Sequence, residues 1–316
     1  MFNDPDIPEM IGDSGFFDYG EFAAEYASFD MDRLYHFARS AQCGGLPLMI
    51  KPDQESQGFW SQAALGAGFK AVLFTDIRSA ADVEECHRLI RPDFPDIHGS
   101  MGVKLRRPAL QNYDIDQYAE ELKNIVFAIM IEKNVAYENL DEILDKANAL
   151  GVDMTQWGPA DFGFSRGNPK MGSTDSIRSF EETVIKKSLE YGIPPRIEIG
   201  STEQAARYID LGVRHFCIGW DRFIYASALK QIGEGIAKIV DSISGITTFK
   251  KTSLFNLDRA EIKKGGNAPF FNHNLEIVTI PSERLGKNQT SSRAIFLLCS
   301  YVERPCKHQA ARRSCR

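Results

Sequence analysis

The chain lacks the sequence features of secreted, membrane-spanning and disulfide-rich proteins. Its 316 residues contain no run of 18 or more apolar residues, so no segment is predicted to cross a membrane. Residues 1–6 carry acid and proline where a secretory signal would be basic and then apolar. The six cysteines form no CxxC pair, and buried or incidental free thiols are expected. We therefore expect a cytoplasmic protein.

The formal charge of −6 is unevenly distributed along the chain. Residues 251–316 hold 12 Lys and Arg against 5 Asp and Glu, whereas residues 1–250 hold 25 against 38. An acidic body argues against a nucleic-acid groove, and the basic end is predicted to be a solvated or disordered arm. The predicted organisation is a catalytic domain over residues 1–245 and an appended, poorly ordered tail over residues 246–316.

The body alternates strand-like hydrophobic runs with amphipathic helical runs, which is typical of a parallel sheet built from consecutive βα units. Predicted strands cover residues 17–26, 46–50, 71–74, 125–131, 152–157, 196–199 and 215–218. Predicted helices cover residues 6–15, 31–41, 61–65, 79–90, 113–123, 134–149, 173–191, 203–211 and 223–243.

Seven short strands, with no GxGxxG after the first, favour a TIM (β/α)8 barrel over an open doubly wound sheet. The pattern leaves the first of eight strands short or missing. Either residues 1–3 are what remains of it, or the chain begins late. An open barrel would expose two unpaired strand edges.

Two acids stand where predicted strands give way to loops. Glu132 ends the run Ile125–Ile131, and Asp161 follows residues 152–157 through the predicted turn at residues 158–160. If the two strands are parallel neighbours, their ends lie roughly 5 Å apart, so both carboxylates can share one hard divalent cation. A helix cap or a solvated loop acid is the alternative role for each.

Further polar residues follow other predicted strands at the same face, where the active sites of TIM barrels lie. They are Glu25, Tyr26, Lys51, Asp53, Asp76, Glu198 and Asp221. Mg²⁺ or Mn²⁺ on two carboxylates keeps water positions that a 2-keto acid can replace, and the metal then stabilises an enolate. Gly158 lets the backbone approach such a ligand, and the N–H groups of Ala160 and Asp161 could bind its carboxylate. Met130 and Trp157 are expected to be pocket walls.

Four short blocks resemble the corresponding blocks of the HpcH/HpaI aldolase and citrate lyase family. They are Met130-Ile131-Glu132-Lys133, Gly158-Pro159-Ala160-Asp161-Phe162, the following Gly167, and Ile218-Gly219-Trp220-Asp221. The resemblance spans roughly residues 5–243. It implies a barrel of the phosphoenolpyruvate/pyruvate-binding type, with Mg²⁺ or Mn²⁺, or else Co²⁺, on Glu132 and Asp161. It also implies class II aldolase chemistry and homo-oligomers in which the last helix packs on a neighbouring subunit.

Two positions depart from the family pattern. Many members have Glu-His where this chain has Glu25-Tyr26, and an arginine where it has Lys51. Lysine supplies the charge but not the bidentate fork, and tyrosine is a poorer base than histidine near pH 7. We expect Lys51 to hold the substrate carboxylate and Glu25 to orient a water that serves as acid or base. A Schiff-base role for Lys51 and a core role for Tyr26 are the alternatives. The predicted substrate-binding residues are Lys51, Trp157, Gly158, Pro159 and Ala160.

The leading functional prediction is a metal-dependent lyase that cleaves or forms a 4-hydroxy-2-keto acid through a pyruvate enolate, with small 2-keto acids and aldehydes as substrates. Decarboxylation of an oxaloacetate-like acid or cleavage of an acyl-CoA would use the same enolate. From a different class, the chain could be a catalytically silent barrel, disabled at Tyr26 and Lys51, that serves as a binding or assembly subunit.

Overall fold

The fold is seen in a computed structural model that describes residues 4, 6–27, 30–104, 114–169 and 174–242. The predicted remnant of a first strand, residues 1–3, and the whole of the predicted tail, residues 246–316, lie outside the described residues.

Seven parallel strands form one sheet in which spatial order follows chain order. They are β1 (Gly20–Ala23), β2 (Leu48–Lys51), β3 (Ala71–Phe74), β4 (Val126–Ile131), β5 (Met154–Trp157), β6 (Pro195–Ile199) and β7 (His215–Ile218). Each strand pairs with the next, so β4 and β5 are neighbours, with Ile131 beside Trp157. The predicted parallel α/β sheet is confirmed.

Eleven α-helices are found in the described part of the chain, most of them between consecutive strands. They are α1 (Ile7–Asp13), α2 (Met31–Cys43), α3 (Gln57–Ala67), α4 (Ala80–Ile90), α5 (Ile115–Lys123), α6 (Asn134–Glu138), α7 (Leu140–Ala149), α8 (Pro159–Ser165), α9 (Asp175–Glu190), α10 (Ala205–Asp210) and α11 (Asp221–Ser242). Short 3₁₀ turns cover Ala24–Tyr26 and Thr202–Gln204. None of the described helices combines the length and apolar character of a membrane span.

Local chemistry explains several helix ends. Ser79 and Asp82 form a capping box at the start of α4, so two backbone N–H groups without helical partners are satisfied. The helix α3 ends at Gly68, whose φ of 114° is one that side chains other than glycine's rarely adopt. Asp30 accepts hydrogen bonds from two backbone N–H groups at the start of α2.

The structure corrects three local predictions. The helix predicted over 134–149 is divided at Asn139, which ends α6 and begins α7. The predicted strand over 17–26 is a four-residue strand followed by a 3₁₀ turn that carries Glu25 and Tyr26. Asp161 lies in the first turn of α8 rather than in a loop, because Pro159 favours a first helical turn as readily as a β-turn.

The sheet is curled, which brings its first strand close to its last two. Arg196 of β6 donates hydrogen bonds to Tyr19, before β1, at 2.6 Å and to Glu21 of β1 at 2.5 Å. The rings of Tyr26, after β1, and Trp220, after β7, have centroids 5.4 Å apart. Within the described residues β1 and β7 are the edges of the sheet and do not pair. A complete eight-stranded TIM barrel therefore remains a prediction.

Successive side chains of each strand face opposite sides of the sheet, and this alternation separates two apolar clusters. In β4, Phe127 and Ile129 belong to the large cluster that includes residues of the surrounding helices. Ala128 and Met130 belong to a smaller cluster on the inner side of the curl, together with Met49, Ala71, Leu73 and Met154. The inner side is where strand-end polar residues can meet.

Candidate active site

Polar residues extend the inner side of the sheet beyond its apolar cluster. Lys51 lies two residues after Met49, and Glu132 lies two residues after Met130, so both side chains continue the inner face. They line a cavity of 820 Å³ at the C-terminal ends of the strands. The predicted site residues that also line it are Tyr26, Trp157, Gly158, Pro159, Ala160 and Asp161.

Glu132 is a buried carboxylate, only 5% exposed, with a defined hydrogen-bond donor. Its Oε1 accepts a hydrogen bond of 2.7 Å from the backbone N–H of Asp76. Burial raises the pKa of Glu132 to about 7, against the opposing effects of Lys51 and of the Asp76 N–H. A carboxyl group with this pKa is partly protonated near neutral pH. A bound divalent cation would favour its ionised form.

Gly158 is what allows the backbone after β5 to approach Glu132. A Cβ atom at position 158 would lie 2.5 Å from the Glu132 Cβ and 2.6 Å from its Oε2, distances that real Cβ atoms essentially never show. The glycine of the Gly-Pro-Ala-Asp block therefore makes room for the carboxylate. The group approached is Glu132, a contact that the sequence did not predict, and the predicted approach of Gly158 to a ligand stays a prediction.

Asp161 lies beside the same cavity but is more open to solvent. Its side chain is 46% exposed, and Lys133 donates a 2.7 Å hydrogen bond from Nζ to its Oδ1. The same ammonium lies 3.9 Å from a carboxylate oxygen of Asp76. Lys133 is a site residue that sequence reasoning passed over, although it directly follows Glu132 in a family-like block.

Lys51 is ion-paired to Glu25, and both side chains are largely shielded from solvent. The distance from Nζ to Glu25 Oε1 is 2.7 Å, and the two side chains are 10% and 16% exposed. The ammonium also lies 5.0 Å from the centroid of the Tyr26 ring. Burial lowers the pKa of Lys51, but Glu25 and then Tyr26 outweigh it, and the net pKa is raised. A permanently charged amine suits carboxylate binding and opposes the Schiff-base alternative.

Tyr26 is half-exposed and faces the cavity. Burial raises the pKa of its phenol above the ordinary value; Lys51 opposes this shift, whereas a hydrogen bond with Glu25 adds to it. The phenol therefore remains protonated at neutral pH, which makes Tyr26 a hydrogen-bond donor rather than a base.

A smaller lobe of 280 Å³ adjoins the two acids. It is lined by Glu25, Tyr26, Asp53, Gln54, Thr75, Asp76, Glu132, Lys133 and Asp161. Four of the polar residues predicted at strand ends, Glu25, Tyr26, Asp53 and Asp76, thus meet Glu132 and Asp161 here. Asp221 lines neither cavity and instead begins α11.

Two features near the site could not be read from the sequence. Arg78 holds the carboxylate of Asp76 through two hydrogen bonds of 3.0 Å, from Nε and Nη2. Asp76 itself has a φ of 56°, in the left-handed region. Strain of this kind persists only where surrounding contacts maintain it. Here the contacts are the Arg78 pair and the hydrogen bond to Glu132.

The donor set fits a hard divalent cation of the Mg²⁺ type. No group of three or more His, Cys, Asp or Glu side chains able to hold a metal ion occurs among the described residues. Mg²⁺ needs only one or two protein carboxylates, because it retains several waters and takes further oxygen atoms from its substrate. Glu132 and Asp161, which follow the neighbouring strands β4 and β5, with Gly158 making room, meet that requirement. Lys133 occupies one oxygen of Asp161 and would share that carboxylate with the cation.

Comparison with known proteins agrees with this architecture. No protein-family model matches the chain. Over 228 residues it is 24% identical to the 2-keto-3-deoxy-L-rhamnonate aldolases of Escherichia coli K12 and Shigella boydii serotype 4 (strain Sb227), which covers 71% of this chain and 82% of each aldolase.

Solved structures share the fold. An HpcH/HpaI aldolase/citrate lyase family protein from Burkholderia cenocepacia J2315 has a TM-score of 0.65 at 20% identity, over 75% of this chain and 91% of that one. The HpcH/HpaI aldolase from Desulfitobacterium hafniense DCB-2 has a TM-score of 0.62 at 19% identity, over 78% and 92% of the two chains. The chain thus has the fold of these aldolases and is related at low identity to curated aldolases.

Proposed function

We propose that the protein is a metal-dependent carbon–carbon lyase that cleaves or forms a 4-hydroxy-2-keto acid through a pyruvate enolate. The observation that carries the proposal is the grouping of Glu132, Asp161 and the charged Lys51 around one cavity at the C-terminal ends of parallel strands. The aldolases among its relatives support the same reaction class.

Glu132 and Asp161 would hold Mg²⁺, Mn²⁺ or Co²⁺. The bound cation would act as a Lewis acid that stabilises negative charge on the keto oxygen of the enolate. The ammonium of Lys51 supplies a fixed positive charge for the substrate carboxylate, and Glu25 keeps that ammonium in place. The backbone at Gly158, Pro159 and Ala160, together with Trp157, forms the adjoining wall.

The reaction requires two proton transfers. In cleavage, a base removes the proton of the C4 hydroxyl and the C3–C4 bond breaks. Its electron pair forms the enolate of pyruvate, and the aldehyde leaves. C3 of the enolate then takes a proton to give pyruvate. We assign Glu25 to orient the water that carries protons, and Tyr26, whose phenol stays protonated and shares a hydrogen bond with Glu25, to hold that carboxylate in position.

The oligomeric state is part of the proposal. The 22-residue helix α11 has no buried residue in the described chain. Its exposed apolar side chains include Phe223, Ile224, Leu229, Ile232, Ile236 and Ile239. An apolar helix surface of this length in water favours association. We propose that a second copy of the chain covers it, and that residues 246–316 are dispensable for catalysis.

The test is a metal-dependent cleavage assay over a panel of 4-hydroxy-2-keto acids, with oxaloacetate included to detect decarboxylation. Pyruvate and aldehyde should form in equal amounts with Mg²⁺ or Mn²⁺ and not with a chelator. Glu132→Gln and Asp161→Asn should abolish the reaction, whereas Glu142→Gln, at an exposed position on α7, should not. Cleavage that persists in both site variants would contradict the assignment.

A further inference from the structure

The cavity has a second side that the proposed metal chemistry does not use. Glu132 follows β4, Asp161 follows β5 and Lys51 ends β2, whereas the remaining wall is formed by β6, β7 and the start of α11. Glu198, Gln204, Trp220, Phe223 and Gln231 line this wall. If the keto-acid end lies between the acids and Lys51, carbon 4 and the carbons beyond it extend toward this wall.

Glu198 is one of the charged residues that line this wall. It lies two residues after Arg196 on β6, so both side chains face the inside of the curl. Arg196 is fully buried, and its guanidinium is occupied by Tyr19, Glu21 and Gln156. Glu198 is two residues closer than Arg196 to the C-terminal end of β6. Its side chain is exposed and lines the cavity.

The carboxylate of Glu198 is accessible to a ligand, because its side chain is exposed. Trp220, after the neighbouring strand β7, lines the same cavity, and its indole N–H interacts with the carboxylate. The pKa of Glu198 is raised, because burial and then the charge of Glu21 outweigh the opposing effects of Lys51, Arg196 and Trp220. A carboxylate has more acceptor positions than one indole N–H can fill, so it can also accept hydrogen bonds from hydroxyl groups of a ligand.

Charged side chains of both signs line this side of the cavity. They are the two arginines Arg178 and Arg207 and the three acids Glu181, Glu198 and Glu203. Nη2 of Arg207 lies 2.8 Å from Glu182 Oε1, whereas the Nε of Arg178 lies 3.4 Å from Asp175 Oδ1 and has no hydrogen-bond partner among the described residues. Because the acids outnumber the arginines on this side, an anionic group on the ligand would meet net negative charge, and like-charge contacts are a common basis of discrimination.

We propose that Glu198 is a specificity-determining residue that accepts hydrogen bonds from hydroxyl groups on the aldehyde part of the substrate and rejects aldehydes that carry a carboxylate. This inference rests on the proposed aldolase function and narrows it. The substrate class is a 4-hydroxy-2-keto acid with a neutral, hydroxylated chain beyond carbon 4. Aldehydes derived from dicarboxylic acids are excluded.

The experiment compares two acceptors of the same length, glycolaldehyde and glyoxylate, in the condensation with pyruvate by the full-length, Mn²⁺-loaded protein. The unaltered protein should prefer glycolaldehyde in kcat/KM. Glu198→Gln keeps the shape and removes the charge, so the ratio of the two kcat/KM values should shift toward glyoxylate by about tenfold. Glu142→Gln should leave the ratio unchanged.

A second variant, Glu198→Leu, tests the same role if the Glu198→Gln protein does not fold. It also tests the role if the new amide side chain still binds the hydroxyl groups of the substrate. It should reverse a preference for glycolaldehyde over propanal, which differs by a methyl in place of the hydroxyl. Exchange of the pyruvate C3 protons is measured in parallel. It distinguishes a wrong assignment of Glu198 from a wrong proposal of aldolase function. Unchanged ratios in both variants with normal exchange overturn the role of Glu198 alone. Absence of exchange in the unaltered protein overturns the proposed function and this role with it.

Discussion

The backbone N–H of Asp76 donates a 2.7 Å hydrogen bond to Oε1 of Glu132. This contact joins the ends of β3 and β4, and it depends on the left-handed conformation of Asp76, with φ of 56°. Residues other than glycine, asparagine and aspartate rarely adopt that conformation, which costs roughly 1–2 kcal/mol. The Arg78 guanidinium, bound to both oxygens of Asp76, helps to maintain it.

Replacement of Asp76 separates backbone strain from charge. Asp76→Ala removes the Arg78 pair and keeps the strained φ, whereas Asp76→Gly removes both the pair and the strain. We expect Asp76→Gly to be more stable than Asp76→Ala by about 1 kcal/mol in urea unfolding. Equal stabilities would show that the left-handed backbone carries no strain at this position.

The glycine beside Glu132 should be sensitive to a single added carbon. Gly158→Ala places a Cβ 2.6 Å from Glu132 Oε2, so the carboxylate must move. We expect kcat to fall about 100-fold, because displacements of about 1 Å cost that much in a positioned site, with weaker Mn²⁺ binding by calorimetry. The matched control is Gly102→Ala, away from the cavity and from α11, where an added Cβ meets nothing within 4 Å. Equal activity of the two variants would refute the close approach.

The ion pair between Lys51 and Glu25 gives a further prediction. Lys51→Met leaves Glu25 part-buried without its ammonium partner and removes the charge assigned to the substrate carboxylate. We expect kcat/KM for the keto acid to fall about 100-fold, mainly through KM, because the lost contact binds the substrate in its ground state. Lys51→Arg should recover much of the loss. A kcat/KM for Lys51→Met within threefold of the unaltered value, roughly 0.6 kcal/mol, would exclude the role.

His87 gives a pH prediction that is independent of the site. It lies on α4, with its ring 6.2 Å from that of Phe127, and burial, followed by the charge of Arg91, lowers its pKa. Below the ordinary histidine value of about 6.5, the unfolded chain binds a proton that the folded chain does not, so stability falls as pH falls.

In the variant His87→Gln, the free energy of unfolding should fall less steeply as the pH is lowered, because residue 87 no longer binds a proton in the unfolded chain. Urea midpoints of the two proteins between pH 7.5 and pH 5 should therefore diverge, with the unaltered protein losing more stability toward acid. Parallel curves would mean that His87 titrates alike in both states.

The apolar surface of α11 predicts the state of association. Ile232→Glu and Ile236→Glu place charges at exposed apolar positions and should convert the proposed oligomer to a monomer in light scattering. Glu234→Gln, on the same helix, is the control. A monomeric unaltered protein at all concentrations would contradict self-association.

The sequence pattern predicted the strands well because each is a short apolar run with clear ends. The strands Ala71–Phe74 and His215–Ile218 were predicted to the residue. It also located Glu132 and Asp161 after neighbouring strands, because parallel strands present their C-terminal ends at one face. The ion pair between Lys51 and Glu25 was not predicted, although both residues were expected at that face.

Contacts that depend on tertiary geometry could not be predicted in this way. The hydrogen bond from Asp76 to Glu132 joins residues 56 positions apart through a backbone atom, which leaves no side-chain pattern. The hydrogen bond from Lys133 to Asp161 likewise depends on tertiary geometry, because the start of α8 determines where the Asp161 carboxylate lies. Arg196 looks like an ordinary strand residue in sequence, yet it is fully buried and links β6 to β1.

The central claim is that Glu132 and Asp161 hold a metal that stabilises an enolate, and the most direct test is deuterium exchange at C3 of pyruvate followed by NMR. With saturating Mg²⁺ the unaltered protein and Glu142→Gln should exchange the C3 protons, whereas Glu132→Gln and a chelator should abolish exchange. Exchange that continues in Glu132→Gln, or that is absent from the metal-loaded unaltered protein, would contradict the account.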